Sequence, residues 1–295
     1  MSETHLVIGA GGQQGAAIAR RLLDGGHRVR GLRRGLSTPD ASPVDMEWVH
    51  GDLADADAVF EAFDGVSQAF LTIPLNFDES IVDGYVANIV TAAQKAGLRR
   101  LVFNTGNRRI PHRTGVPAFD VKSRAEQVLL DSGVPTVVLR PPIFLDNLAA
   151  PWARSALAGG VLPYPIPAGH RVAWLSHDDL AALLVAAASR DDLVGSTIDV
   201  GGRDVVTGPE LAAAFSQALG HDIGYVPVDA DDFEKGLAQE FDGATAAGIA
   251  GLYRHIAAPQ HADLYASDPS AVEAAFGVPL TPLSTWITAQ DWRAP

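Results

Sequence analysis

Three glycines, Gly9, Gly12 and Gly15, stand at G-x-x-G-x-x-G spacing in the stretch His5-Leu6-Val7-Ile8-Gly9-Ala10-Gly11-Gly12-Gln13-Gln14-Gly15. Without Cβ atoms they let a backbone turn sharply and come close to a phosphate, while the N–H groups of a helix starting there point at the anion. That is pyrophosphate-binding chemistry. Arg33 and Arg34 follow where a carboxylate would bond a ribose 2′-hydroxyl; two guanidiniums suit a 2′-phosphate instead, with Ser37 and Thr38 as further donors. The pair favours NADP(H), its bland alternative being two solvated loop arginines. Lys122 is an amine able to hold a nicotinamide ribose or, with its pKa lowered by burial, to donate a proton; its bland alternative is a solvated helix lysine paired with Glu126 one turn on. Thr105, with Asn104 beside it, offers a hydrogen bond to a substrate oxygen or carboxamide, or simply closes a turn. His112 is an acid titrating in a useful range, or an exposed loop residue.

The elements that must position these residues alternate. A short apolar run ends at Gly9, and Ile18, Leu22 and Leu23 share a face of the helix that follows, so the glycines lie between strand and helix, the context the motif requires. Gly25-Gly26 stops that helix. Strands are predicted at residues 27–32, 47–50, 69–74, 100–106 and 134–142, the last closed by Pro141-Pro142. Between them, one predicted helix turns Val59, Phe60 and Phe63 inward, another spans about 78–97, and a third, 119–132, faces Val121, Ala125, Val128 and Leu129 to the sheet. The pattern predicts a doubly wound, mostly parallel α/β sheet with helices on both faces. Gly9, Arg33, Ile73 and Thr105 then line one edge, at the carboxyl ends of the strands. Asp52 fits either the rim of an adenine pocket or a turn.

Residues 148–175 are rich in alanine, glycine and proline around Trp152, Tyr164 and Trp174, and suggest a small lobe. With Phe144 these aromatics form either a wall for a flat substrate or a core. Ser176 and Asp179 are spaced as a variant capping box, whereas His177-Asp178-Asp179 lacks a third ligand at metal-binding spacing, so no metal is expected. A last strand is read at 196–200 and a helix from Gly208 to about Gly220; residues 228–276 are acidic and helical in pattern.

With 295 residues, 47% of them hydrophobic, the chain can bury a large core. Its net charge of -13 argues against nucleic-acid or anionic-membrane partners. The absence of cysteine excludes disulfides and thiolate chemistry. The start, Met1-Ser2-Glu3-Thr4, has no basic region ahead of a long apolar run, and a soluble, cytoplasmic chain is expected.

Taken together, Val7 to Gly15, Val29-Arg30-Gly31-Leu32-Arg33-Arg34, Gly51-Asp52-Leu53, the Lys122 to Glu126 pattern, Leu139 to Asn147 and Asp178-Asp179-Leu180-Ala181 resemble the NmrA-like, atypical short-chain dehydrogenases/reductases. The resemblance implies a Rossmann-type NADP(H) domain at 1–147, its sheet completed by about 176–203, with a smaller C-terminal substrate lobe at 148–175 and 204–295. It implies cofactor contacts from Gly9, Gly12, Gln13, Gln14, Gly15, Arg33, Arg34, Asp52, Leu53, Ile73, Pro74, Asn104, Lys122, Pro142 and Phe144. Substrate contacts fall to His112, Phe144, Asn147 and Tyr164, and catalytic roles to Lys122 and Thr105. One departure matters. Typical short-chain dehydrogenases carry a Tyr-x-x-x-Lys pair, and here Ala118 stands four residues before Lys122, so the tyrosine acid is absent. An acceptor that stabilises the incoming negative charge itself suits such a site. The expectation is an NADPH-dependent reductase of a quinone, dye or conjugated carbonyl; the alternative is a non-catalytic NADP(H) sensor acting through a protein partner. A flat small molecule is the expected partner, and a homodimer is left open.

Overall fold

Unbroken runs of buried residues in the successive short strands at 5–8, 68–71, 100–104 and 136–139 place the sheet between two covering layers. The computed structural model describes residues 3–35, 43 and 45–292. In chain order its first elements are β1 (Thr4–Ile8), α1 (Gln13–Asp24), β2 (Arg28–Arg33), β3 (Glu47–His50), α2 (Ala56–Phe63), β4 (Gln68–Thr72), α3 (Glu79–Lys95), β5 (Arg100–Asn104), α4 (Pro117–Asp131) and β6 (Thr136–Arg140). There follow α5 (Pro151–Ala158), β7 (Val161–Tyr164), β8 (Val172–Ala173), α6 (His177–Ala188), β9 (Thr197–Asp199) and β10 (Val205–Val206). The chain ends with α7 (Gly208–Leu219), β11 (Gly224–Pro227), α8 (Ala230–Leu237), α9 (Gly243–Ile256), α10 (Pro269–Phe276) and α11 (Leu283–Ala289).

The chain divides into two compact units. The first comprises Met1–Pro111, Asp120–Pro141 and Leu180–Asp199; the second comprises His112–Phe119, Pro142–Asp179 and Val200–Pro295. The first unit holds a seven-stranded sheet in the order β3-β2-β1-β4-β5-β6-β9, every pairing parallel. Leu6, Ile8, Ala69, Leu71, Leu101 and Phe103 join the core formed with α2, α3 and α4. Val7, Phe70 and Val102, one residue out of phase, are equally buried, so by strand alternation the opposite face is covered as well. This is the Rossmann-type arrangement expected. The order reverses at β1, which lies between β2 and β4, and in such sheets the ligand crevice opens beside that reversal, at the carboxyl ends.

Two core assignments are corrected. Phe60 is 46% exposed, with Lys95 Nζ 5.3 Å from its ring centre, while Val59, Ala62 and Phe63 are buried. Val128 is 40% exposed, while Val121, Ala125 and Leu129, spaced by four, are buried. In both helices the residue at the margin of the apolar stripe is left to solvent, because Phe60 and Val128 each stand about 100° round the helix from the buried residue beside them.

The second unit has two small two-stranded sheets, β7 with β11 in parallel and β8 with β10 antiparallel, together with α5 and α7–α11. The acidic segment 228–276 is indeed helical, forming α8, α9 and α10. No helix among the described residues is long and apolar enough to cross a membrane.

Candidate functional site

The glycine turn joins β1 to α1, and its three glycines have different reasons to be glycine. Gly9 has φ +89°, and a Cβ there would lie 2.9 Å from Thr72 O at the end of the neighbouring β4. A Cβ on Gly15 would stand 2.2 Å from Gly9 O and 2.5 Å from Gly9 C, so this residue lets α1 pack onto the turn. Gly12 differs. Its φ is -97°, and a Cβ would meet only Gly9 O at 3.6 Å, an ordinary contact. The fold does not need glycine at this position, whereas a ligand approaching the backbone does. Gly12 is also the N-cap of α1 and contributes no side-chain cap, whereas α2, α3, α8, α9 and α10 are each capped by an aspartate, Asp55, Asp78, Asp229, Asp242 and Asp268. Gly12 and Gln13 are exposed and Gln14 is half-buried. An uncapped helix start beside a cradle that a Cβ would fill suits a phosphate group.

At the end of β2, the Arg33 guanidinium lies 4.8 Å from the centre of the Trp48 ring of β3, an orienting cation–π contact. Arg34, largely exposed, has Nε 3.7 Å from Asp52 Oδ2. Asp52 Oδ1 accepts from Ala54 N at 2.8 Å, so this carboxylate shapes the turn into α2 and pairs with an arginine at once. The neighbouring Leu53 is core, and its carbonyl accepts from Asn88 Nδ2. Ser37 and Thr38 lie outside the described residues.

Along the same edge, Asn104 ties three chain segments together: its Nδ2 donates to Gln14 Oε1 at 2.7 Å and to Thr72 Oγ1 at 3.1 Å, and its Oδ1 accepts from Gly106 N. Thr105 is 3% exposed, and its hydroxyl donates to Asn107 O at 2.5 Å with Leu139 O at 3.3 Å. It performs the turn chemistry that the sequence allowed. Ile73 is buried and Pro74 exposed just past β4, and Ile73 O accepts from Lys122 Nζ at 3.0 Å. Lys122 is not paired with Glu126. Glu126 is fully buried and serves two arginines: Arg140 donates through Nε at 2.8 Å and through Nη2, and Arg109 through Nη1 at 2.9 Å. The sequence gives no sign of that hub, because its partners lie seventeen residues before and fourteen after it.

Burial pushes the Lys122 ammonium down to about 8. A lysine whose folded pKa lies below its unfolded value burdens the native state with its charge at low pH, and the burden lifts as pH rises from the folded toward the unfolded pKa. Lys122→Met is therefore expected to be more thermostable than wild type near pH 7. That advantage should shrink steadily between about pH 8 and 10.5. Thermal midpoints across this range check it, and a constant difference would refute the shift.

In the second unit, His112 is exposed and Pro142 buried. Phe144 packs on His177 with ring centres 4.9 Å apart, and Asp146 Oδ2 accepts from His177 N at 2.8 Å. Asn147 Nδ2 donates to Tyr164 Oη at 3.0 Å, which lies 3.0 Å from Tyr253 Oη. Tyr164 is 2% exposed and stacks edge-on against Trp174, so these two rings are core, while Trp152 is 40% exposed. Burial raises both phenols well above their ordinary range. Tyr253 sits in the acidic segment, where no motif marks it. Ser176 Oγ accepts from Asp179 N at 3.0 Å, but the Asp179 carboxylate turns away to Thr281 N and Oγ1, so only half of the capping box forms. Among the described residues no group of three or more His, Asp or Glu is placed to hold a metal ion.

The NmrA-like family model matches residues 1–286. The chain belongs to the NmrA-like family. Among members and relatives, it is 26% identical over 233 residues to an NAD(P)H azoreductase of Xenophilus azovorans, covering 79% of each chain. It is 28% identical over 284 residues, 95% of each chain, to a (4-alkanoyl-5-oxo-2,5-dihydrofuran-3-yl)methyl phosphate reductase of Streptomyces griseus. The crystal structure of Citrobacter sp. triphenylmethane reductase complexed with NADP(H) superposes with a TM-score of 0.78 at 20% identity, covering 96% of this NmrA-like chain and 98% of that one.

Proposed function

We propose that this NmrA-like protein is an NADPH-dependent reductase that passes a hydride to a quinone, dye or conjugated carbonyl compound. The observation that carries the cofactor is Gly12, an open glycine on an uncapped helix start, in line with Arg33 and Arg34 at the end of the adjacent strand. The names of the relatives support the reaction: one reduces azo compounds, one a conjugated lactone phosphate, and a structural neighbour triphenylmethane compounds.

When bound, NADPH supplies the hydride. The chain supplies alignment. The α1 N–H groups hold the pyrophosphate, Arg33 and Arg34 take the 2′-phosphate, and Asn104 fixes the α1 start relative to β4 and β5. Lys122, anchored by Ile73 O, presents its remaining N–H bonds at the carboxyl edge of the sheet and is the amine through which a proton can be delivered. Ala118 on α4 supplies no phenol, which fits an acceptor whose product anion is delocalised and protonated by Lys122 or water.

Exchanging both Arg33 and Arg34 for alanine is expected to weaken NADPH binding by about 100-fold or more, since each charge-assisted hydrogen bond to phosphate contributes roughly 1.5–3 kcal/mol, and to leave NADH binding nearly unchanged. Titrating both dinucleotides against both proteins decides this; equal losses would sink the 2′-phosphate assignment. The reaction is tested by NADPH oxidation against quinones, triarylmethane dyes, azo dyes and enones, with Lys122→Ala alongside. Turnover with one class supports the proposal. Saturable NADPH binding with no oxidation by any acceptor overturns it in favour of a dinucleotide sensor.

A further inference from the structure

Four histidines from distant parts of the chain meet within the second unit: His112, His170, His255 and His261. The His255 ring, in the last turn of α9, is stacked on that of His261, in the short turn Pro259–His261, with centres 4.7 Å apart and planes 29° from parallel. The same ring meets Phe119, with centres 5.4 Å apart. Phe119 lies in the first turn of α4, three residues before Lys122. A methyl on Gly251, one turn back along α9, would touch Val116 at 3.8 Å. The 112–119 segment thus rests on α9 through aliphatic and aromatic contacts that include an imidazole.

An added proton finds no acceptor on this stack. His255 Nε2 is buried and has no hydrogen-bond partner, so a proton there would make a charged donor with nothing to receive it. Ile256 O, a carbonyl at the end of α9, accepts from His170 Nε2 at 3.0 Å instead. Two imidazoliums stacked this closely would also repel one another. Of the neighbouring charges, Arg254 is turned to Asp231 and Glu234 of α8, Arg171 beside His170 lies near Glu210, and the 112–119 segment adds His112 and Arg113, both exposed. Asp263 follows two residues after His261, but the groups that act on His261 are His255, His112 and His170, with no carboxylate among them. Burial, and after it these three imidazoles, lower the His261 pKa below its ordinary 6.5. A base shifted in this direction costs the closed arrangement nothing at neutral pH. The cost enters as pH falls below the unshifted value, because the open form takes up the proton first.

We propose that His112, His255 and His261 form an acid-released clasp that pins the 112–119 segment, and with it the first turn of α4, to α9. On acidification the protons added to the cluster push its members apart, and the segment leading to Lys122 comes free. The clasp is independent of the reductase reading, because no part of it involves a dinucleotide.

Hydrogen exchange of the full chain, followed peptide by peptide between about pH 7.5 and 5.5 and corrected for the intrinsic rate, tests this. Below about pH 6.5, protection in 112–119 and at the end of α9 should fall about tenfold per pH unit for each extra proton the open form binds, while β1, β4 and β5 keep theirs. His261→Phe keeps a flat ring against His255 without a titrating nitrogen, and should retain protection at the acid end. His112→Gln changes an exposed residue and should move the loss to lower pH. Protection that does not change with pH in the wild type overturns the clasp. So does an acid loss equal in all three proteins, or one shared equally by β1, β4 and β5.

Discussion

Gly12→Asp is expected to leave the folded protein as stable as wild type, or about 1 kcal/mol more stable, while lowering NADPH affinity by about 100-fold or more. The aspartate would cap α1 in the way Asp55, Asp78, Asp229, Asp242 and Asp268 cap their helices. Gly12 already has the extended backbone of an N-cap, φ -97° and ψ 165°, and open space for a Cβ. The same carboxylate would occupy the N–H groups offered to a phosphate and repel its charge. Gly15→Ala should behave in the opposite way. Its methyl would press on backbone atoms Gly9 O, Gly9 C and Ala10 N at 2.2, 2.5 and 2.7 Å, which cannot move aside as a flexible side chain can. A loss of about 3 kcal/mol is expected, at the upper part of the usual range for overpacking, and binding should suffer because the turn is displaced. Denaturant unfolding with dinucleotide titration on both variants checks the pair. If Gly12→Asp binds NADPH like wild type, the turn is not the cofactor site.

The second large effect is expected from Glu126→Ala. This carboxylate is fully buried and accepts from Arg140 through two nitrogens and from Arg109 through one. Removing it leaves two guanidiniums without their shared anion, which costs about 3–5 kcal/mol when a buried ion pair is broken from one side. Against a total stability of roughly 5–15 kcal/mol that is a large share. The urea midpoint should fall accordingly with little change in slope. Asp83→Ala, at an exposed pair whose Oδ1 lies 2.7 Å from Arg124 Nε, should leave the midpoint essentially unmoved. Equal shifts in the two variants would show that Glu126 is no hub.

Local pattern carried far in this chain. The glycine spacing, the strands read at 47–50 and 100–106, the second of which ends at Asn104, the stop at Gly25-Gly26 and the β2 arginines were legible because strand and helix periods, turn residues and motif spacing act over a few neighbours. They led to the doubly wound sheet and to the edge at the carboxyl ends of its strands, where Gly9, Arg33, Ile73 and Thr105 were expected. Apolar character was less informative about facing: Phe60 and Val128 are as apolar as their buried neighbours and still point to solvent.

The sequence by itself determined the parallel α/β frame, the glycine turn between β1 and α1, the cationic end of β2 and the missing tyrosine at Ala118. Each depends on residue type and short-range spacing. Only the tertiary structure decided which partners those residues have: Lys122 on Ile73 O and not on Glu126, Glu126 between Arg109 and Arg140, Tyr164 bonded to Tyr253, and Thr105 used up in its own turn. It also separated Gly12, open to a ligand, from Gly15, required for packing. The reason is common to all of these. Burial and hydrogen-bond partnership depend on which distant segments the fold brings within a few ångströms, and a one-dimensional pattern carries no such distances.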